Sequence, residues 1–279
     1  MPSIIKTIAQ YMPDKRVLDE KPDFNNELAQ SLFHKGSPIG CITLHGIGGT
    51  PANVRVVSDA LIAQNFTVLA PMLPGHGETL RIFNTSTGEQ WLDCVFGAYD
   101  LLKAEGCTQI LAFGLSLGAI LACLLAESRP LAGLMMMCAP VKMPTYLHVA
   151  RFISPLLPVV RFPEDDEDDA TSWRNDPHAQ MYDGFSTVKL RDLKRLNRRL
   201  CMNLENVSCP VFIVQARHDD KVLPTSFDTL RKGMINATTL EFLELENSPH
   251  GCTYGPERDR VATLAADFAN RITVPGDCC

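Results

Sequence analysis

The stretch from Ile110 to Leu121, ILAFGLSLGAIL, constrains this chain more than any other. Within it, Gly114-Leu115-Ser116-Leu117-Gly118 fits G-x-S-x-G, the pattern of a serine held exposed on a sharp strand-to-helix turn. The glycines have a steric reason. Backbone strained into such a turn leaves no room for side chains two residues to either side of the serine, and glycine removes them. The pattern is weak alone, because small residues cluster in any turn, but here it is framed. Gln109 to Phe113 reads as a buried strand, and Leu117 to Ala126 as a small, apolar helix. The start of that helix aims its dipole and free N–H groups at Ser116, where they favour negative charge.

From Ile39 onward, apolar strand-like runs recur at Ile39–Leu44, Thr67–Met72, Gln109–Leu115, Gly133–Ala139, Val211–Ala216 and Leu240–Leu245. Helical stretches at about 52–64, 88–105 and 117–128 separate the first four. Strands that are apolar throughout are buried on both faces. Alternation with helices predicts an α/β fold: a mostly parallel central sheet, helices on both sides and right-handed crossovers. Ligands bind beyond the carboxyl ends of such strands, where Ser116 falls.

The alternation stops between about 141 and 207. This segment shows no convincing strand, carries six consecutive acids (Glu164 to Asp169), and predicts a helix at 186–205. There Leu190, Leu193, Leu196, Leu200 and Leu204 form one stripe, while Lys189, Arg191, Lys194, Arg195, Arg198 and Arg199 fill a solvated basic face. The division expected is a core from 1–140 and 208–279, with 1–36 as an N-terminal extension, and a small helical cap from 141–207 over the strand ends. In the extension, Ile4, Ile5, Ile8, Tyr11 and Met12 recur at helical spacing, and packing onto the core is favoured over membrane anchoring.

Bulk properties narrow the function. The chain has 279 residues and a net charge of −6, which disfavours nucleic acid as a partner. No apolar run approaches the roughly 20 residues of a membrane span, and no signal peptide is read at the N-terminus. Ten cysteines include no C-x-x-C pair or zinc-like cluster, and Cys41, Cys123 and Cys138 lie in core-like runs. A reducing, cytoplasmic compartment and no metal are therefore expected.

A serine hydroxyl needs a base to take its proton and a third group to orient that base. Two later strand ends supply them. Val211–Arg217 runs into His218-Asp219-Asp220, and Leu240–Leu245 into Glu246-Asn247-Ser248-Pro249-His250-Gly251. The order Ser116, Asp219, His250 suits this kind of sheet, with Asp219 preferred over Asp220. His34, His148, His178 and His218 are weaker candidates for the base. Two backbone N–H groups should face a developing oxyanion. Leu117 follows the serine, and Ile47 lies in the loop His45-Gly46-Ile47-Gly48-Gly49-Thr50. That loop fits neither phosphate-binding glycine pattern. His45 and His76 read as loop-packing residues.

HGIGGTPANVR at 45–55, APMLPGHG at 70–77, GLSLG at 114–118, MCAP at 137–140, QARHDD at 215–220 and the late SPHG together resemble the α/β-hydrolase superfamily. Within it, the chain is similar to small bacterial carboxylesterases and monoacylglycerol lipases with a short helical cap. The resemblance spans about 39–140 and 208–272. It implies Ser116 as nucleophile, Asp219 as acid, His250 as base, the Ile47 and Leu117 amides as oxyanion hole, an acyl pocket under the cap, and no cofactor. Ile47 stands where relatives often carry an aromatic, and Pro249 where they usually carry glycine. The activity expected is hydrolysis of short-to-medium-chain acyl esters or monoacylglycerols. The alternatives are a thioesterase or acyltransferase with the same triad, or a non-catalytic binding protein of the same fold.

Overall fold

The computed structural model describes residues 18–19, 26–145, 158–161 and 176–273. The amphipathic stretch at 4–12, the acidic run Glu164–Asp169, His148 and Cys278-Cys279 lie outside them.

Nine strands are described: β1 (Leu32–His34), β2 (Ile39–Leu44), β3 (Thr67–Ala70), β4 (Gln109–Leu115), β5 (Gly133–Met137), β6 (Val159–Arg161), β7 (Gly184–Ser186), β8 (Val211–Ala216) and β9 (Leu240–Leu245). Seven form one sheet in the order β1-β3-β2-β4-β5-β8-β9. Only β1 runs antiparallel to its neighbour in that sheet. The helices are α1 (Arg55–Ala63), α2 (Leu80–Thr85), α3 (Gly88–Ala104), α4 (Leu117–Ala126), α5 (Leu190–Asn203), α6 (Thr225–Gly233) and α7 (Arg258–Thr273).

Unbroken apolar runs follow from two cores, one on each face of the sheet. In β4, Ile110 and Ala112 join the core that contains α3, α4 and α5, while Leu111, Phe113 and Leu115 join the one containing α1 and α7. Strand β5 alternates likewise, with Leu134 and Met136 on one side and Met135 and Met137 on the other. Helix α4 is buried at every position, as a helix apolar all round must be. Thr87 starts α3 with a capping box, its side chain accepting from the Gln90 amide while Gln90 accepts from the Thr87 amide.

Three expectations need correction. Residues 32–34, assigned above to an extension, form the edge strand β1; a half-exposed tripeptide is too short for periodicity to be read. The inserted segment does contain strands, the antiparallel ribbon β6–β7 with Val160 opposite Phe185. Each of its strands is three residues long and is fixed by its partner rather than by local pattern.

The third correction concerns Lys189, which lies buried rather than on a solvated face. Its ammonium donates to the Ser86 carbonyl and to Asp192 Oδ2 (2.9 Å), and it stands 5.6 Å from the Trp91 ring centre. Asp192 Oδ1 accepts from the Gly88 amide at 3.2 Å, so the start of α5 is pinned to the start of α3. The leucine stripe is buried as expected, and Asn197 donates to the carbonyls of Pro140 (3.2 Å) and Val141 (2.9 Å).

Removing one partner of a buried ion pair leaves an uncompensated charge. Asp192→Ala should therefore lower unfolding stability by about 3 kcal/mol in urea titrations. Lys189→Met, which removes the charge itself, should cost less.

Candidate active site

Ser116 lies between the end of β4 and the start of α4, with φ 54° and ψ −115°. The left-handed backbone is strained for a residue with a side chain. Its amide donates to the Met137 carbonyl at 2.9 Å, which ties the turn to β5. A Cβ on Gly114 would meet the Gly118 carbonyl oxygen at 2.2 Å, and one on Gly118 would meet the Leu44 carbonyl oxygen at 2.2 Å. Both glycines of the motif are therefore required, each against backbone that cannot move aside.

His250 arrives on the loop after β9. Its Nε2 lies 2.9 Å from Ser116 Oγ, and its Nδ1 lies 2.8 Å from Asp219 Oδ2. A carboxylate can only accept, so Nδ1 carries the proton and Nε2 is left to accept from the serine hydroxyl. Asp219 Oδ1 accepts from the amides of Lys221 (2.8 Å) and Val222 (2.9 Å). The Asp219 side chain is 1% exposed, whereas that of Asp220 is 67% exposed and pairs with Lys221. The geometry thus favours Asp219 over its neighbour.

Behind Asp219, Cys138 Sγ and Cys252 Sγ are 3.6 Å apart. That contact and burial together push the Cys138 thiol up, so it stays protonated. Cys138, Asp219 and His250 place three donor atoms within 4.8 Å of one another. Two of them are already committed to the 2.8 Å hydrogen bond, and the third is a neutral thiol. The grouping is better suited to a proton relay than to a cation.

Leu117 begins α4, so its N–H has no partner inside the helix. Ile47 lies on the facing loop, whose Gly46 comes close enough that a Cβ there would touch Ser116 Cβ at 3.4 Å. His45 holds this loop: Nδ1–H donates to the Gly46 carbonyl (2.9 Å) and Nε2 accepts from the Leu73 amide (3.1 Å). Burial lowers its pKa to about 4, partly opposed by the Gly46 bond, so the ring is neutral. His76 packs edge-on against His45, Phe83 and Trp91. Both act as loop-packing residues. His34, His178 and His218 do not contribute to the Ser116 relay.

A cavity of about 110 Å³ opens at Ser116 and His250, its apolar wall including Ile47, Met143, Met181, Phe185, Leu190 and Leu193. A larger open groove of about 640 Å³ lies at the opposite ends of the strands, near Thr108, Ala132 and Pro210. It is lined by none of Ser116, Asp219, His250, Ile47 or Leu117.

This arrangement of strand order, serine turn and relay agrees with the match of residues 41–264 to the Alpha/beta hydrolase family. The chain belongs to that family. It is 27% identical to a thermostable monoacylglycerol lipase of Bacillus sp. (strain H-257) over 248 residues, covering 86% of this chain and 94% of that protein. It is 28% identical to a carboxylesterase of Bacillus subtilis (strain 168) over 244 residues, covering 85% and 95%. A solved structure from work on the metagenome-derived lipolytic enzymes LipS and LipT matches with a TM-score of 0.79 at 26% identity, over 88% of this chain and 98% of that one. A monoacylglycerol lipase structure from Paleococcus ferrophilus shares the fold, with a TM-score of 0.71 at 17% identity, covering 87% and 98%.

Ser116→Ala and His250→Ala should each cut turnover on the order of 10⁴-fold or more with unchanged circular dichroism. Asp219→Asn should cost about 10⁴-fold by reversing the imidazole tautomer. Asp220→Asn should stay within a few-fold of wild type in the same p-nitrophenyl ester assay.

Proposed function

We propose that this α/β hydrolase cleaves carboxylic esters through an acyl-enzyme on Ser116. The observation that carries this reading is the unbroken Asp219–His250–Ser116 relay at the mouth of an apolar cavity. His250 Nε2 takes the serine proton as Oγ attacks the ester carbonyl. The carbonyl oxygen becomes negative against the Ile47 and Leu117 amides and the positive end of α4. Collapse of the tetrahedral species breaks the bond to the alcohol, and His250 returns its proton to that leaving oxygen. Water then enters, gives a proton to His250 and releases the acid by the same route. Asp219 holds the ring in the working tautomer and stabilises the imidazolium that forms twice per cycle.

The substrate class rests on the cavity and on the relatives, two of which are named for monoacylglycerol lipase and carboxylesterase activity. The acyl chain enters among Ile47, Met181, Phe185, Leu190 and Leu193, so residues 141–207 act as a cap with an acyl-binding underside. Each methylene buried there adds roughly 0.8 kcal/mol to binding. The cavity, at about 110 Å³, accommodates a short chain. Short-to-medium acyl esters, including monoacylglycerols, fit best. A cytoplasmic location is proposed from the cysteine pattern. No helix among the described residues is long and apolar enough to cross a membrane.

A fluorophosphonate probe should label the wild type at one site, and Ser116→Ala should abolish labelling; an unlabelled wild type would favour a binding protein. In a p-nitrophenyl ester series, kcat/KM should rise from acetyl to medium chains and then fall as the chain outgrows the cavity. Fastest turnover on acetyl, with no gain on lengthening, would remove the lipid-like substrate.

A further inference from the structure

Asn53 is 2% exposed, borders the cavity beside Ser116 and His250, and has every polar atom of its side chain engaged. Its Oδ1 accepts from the Thr50 amide at 3.3 Å. Its Nδ2 donates to the carbonyls of His178 at 2.8 Å and Gln180 at 3.1 Å, both on the segment returning from the cap. The Asn53 carbonyl accepts from Thr253 Oγ1 on the loop that carries His250. One residue therefore joins the Ile47 loop, the cap and the histidine loop.

Two further bonds run parallel to this connection. Tyr182 donates its amide to the Gly48 carbonyl at 3.2 Å, and Met181 bridges Gly49 in antiparallel fashion. The Gly49 position is shaped by the same amide: a Cβ there would lie 1.8 Å from Asn53 Oδ1. Residues 46–50 thus have cap backbone on one side and Asn53 on the other.

We propose that Asn53 is a positioning residue for the oxyanion site: it fixes the Ile47 amide by fastening its loop to cap residues 178–182. The inference rests on the reading of Ile47 N–H as an oxyanion donor. An amide donor contributes to catalysis only when aimed at the place the oxyanion will occupy, and that alignment must exist before reaction. Two main-chain carbonyls facing one NH2 group also fix the side-chain identity. Aspartate has the same shape and retains the acceptor for Thr50, but it turns a third oxygen toward those carbonyls.

The test compares Asn53→Asp and Asn53→Ala with wild type, with active sites titrated to completion by fluorophosphonate so that only folded enzyme is counted. Both variants should lose kcat by about 10- to 100-fold with KM within about twofold, as expected for a misaligned donor. Affinity for a boronic acid that forms a tetrahedral adduct on Ser116 should weaken by the same factor as kcat. The kcat of Asn53→Asp relative to wild type should recover as pH falls, because the protonated carboxyl regains a donor. A purely structural role would lower the melting temperature and leave kcat per titrated site unchanged, and that result in either variant overturns the proposal. A raised KM with retained kcat overturns it as well. If wild type binds the boronic acid no more tightly than substrate, the oxyanion reading itself fails. If wild type binds it tightly and both variants match it, only the role of Asn53 fails.

Discussion

A Cβ on Gly118 would stand 2.2 Å from the Leu44 carbonyl oxygen, so α4 can meet β2 at this distance only through a residue without a side chain. The contact sets the position of Ser116. It keeps the first turn of α4 against the end of β2, and the loop leaving β2 is the one that carries Ile47. Ser116 and the Ile47 loop thereby follow adjacent parallel strands whose register is fixed from Ile39 opposite Gln109 to Leu44 opposite Gly114. The strained φ of Ser116 is sustained by packing on all sides, since α4 is buried along its whole length.

The remaining groups reach the serine from the other half of the sheet. Strand β8 delivers Asp219 and β9 delivers His250, and these strands are paired from Val211–Leu240 to Ala216–Leu245. Further local bonds hold the two loops. The Asp219 carboxylate is seated on the amides of Lys221 and Val222, and the His218 amide donates to the Ser248 carbonyl at 3.3 Å. The two amides and the imidazole together give this buried carboxylate three hydrogen-bond donors. The neutral Cys138 thiol behind it adds no competing charge.

What was legible in the sequence was what one-dimensional patterns encode. Strands β2, β4, β8 and β9 begin and end where the apolar runs do. In β2, β4 and β8 burial on both faces writes itself into nearly every residue, whereas β9 is a half-buried edge strand. Asp219 was preferred over Asp220 from the sequence, and it is Asp219 whose carboxylate lies beside His250. The three-residue strands were not legible, since β1 and β6–β7 exist only through partners distant in the chain. Lys189 misled for a related reason: helical spacing indicates a face but not whether Trp91, Ser86 and Asp192 wait there to receive a cation. Asn53 gave no signal either, because the carbonyls it bonds lie 125 and 127 residues away.

The fastening of residues 178–182 to the loop at 48–53 bears on how a family like this can diversify. Residues 178 and 180 meet Asn53 beyond the loop that carries Ile47, while Asn197 and Lys189 tie α5 to the chain after β5 and to the start of α3. Main-chain carbonyls and buried polar groups make these attachments, and Leu190 and Leu193 add apolar packing against the core. The side chains of Met181 and Phe185 line the cavity without taking part in those hydrogen bonds, so a change in their size alters the space beside Ser116 while the polar attachments keep their partners. Cavity shape and polar attachment are carried by different atoms of the same segment, and one can drift while the other stays fixed.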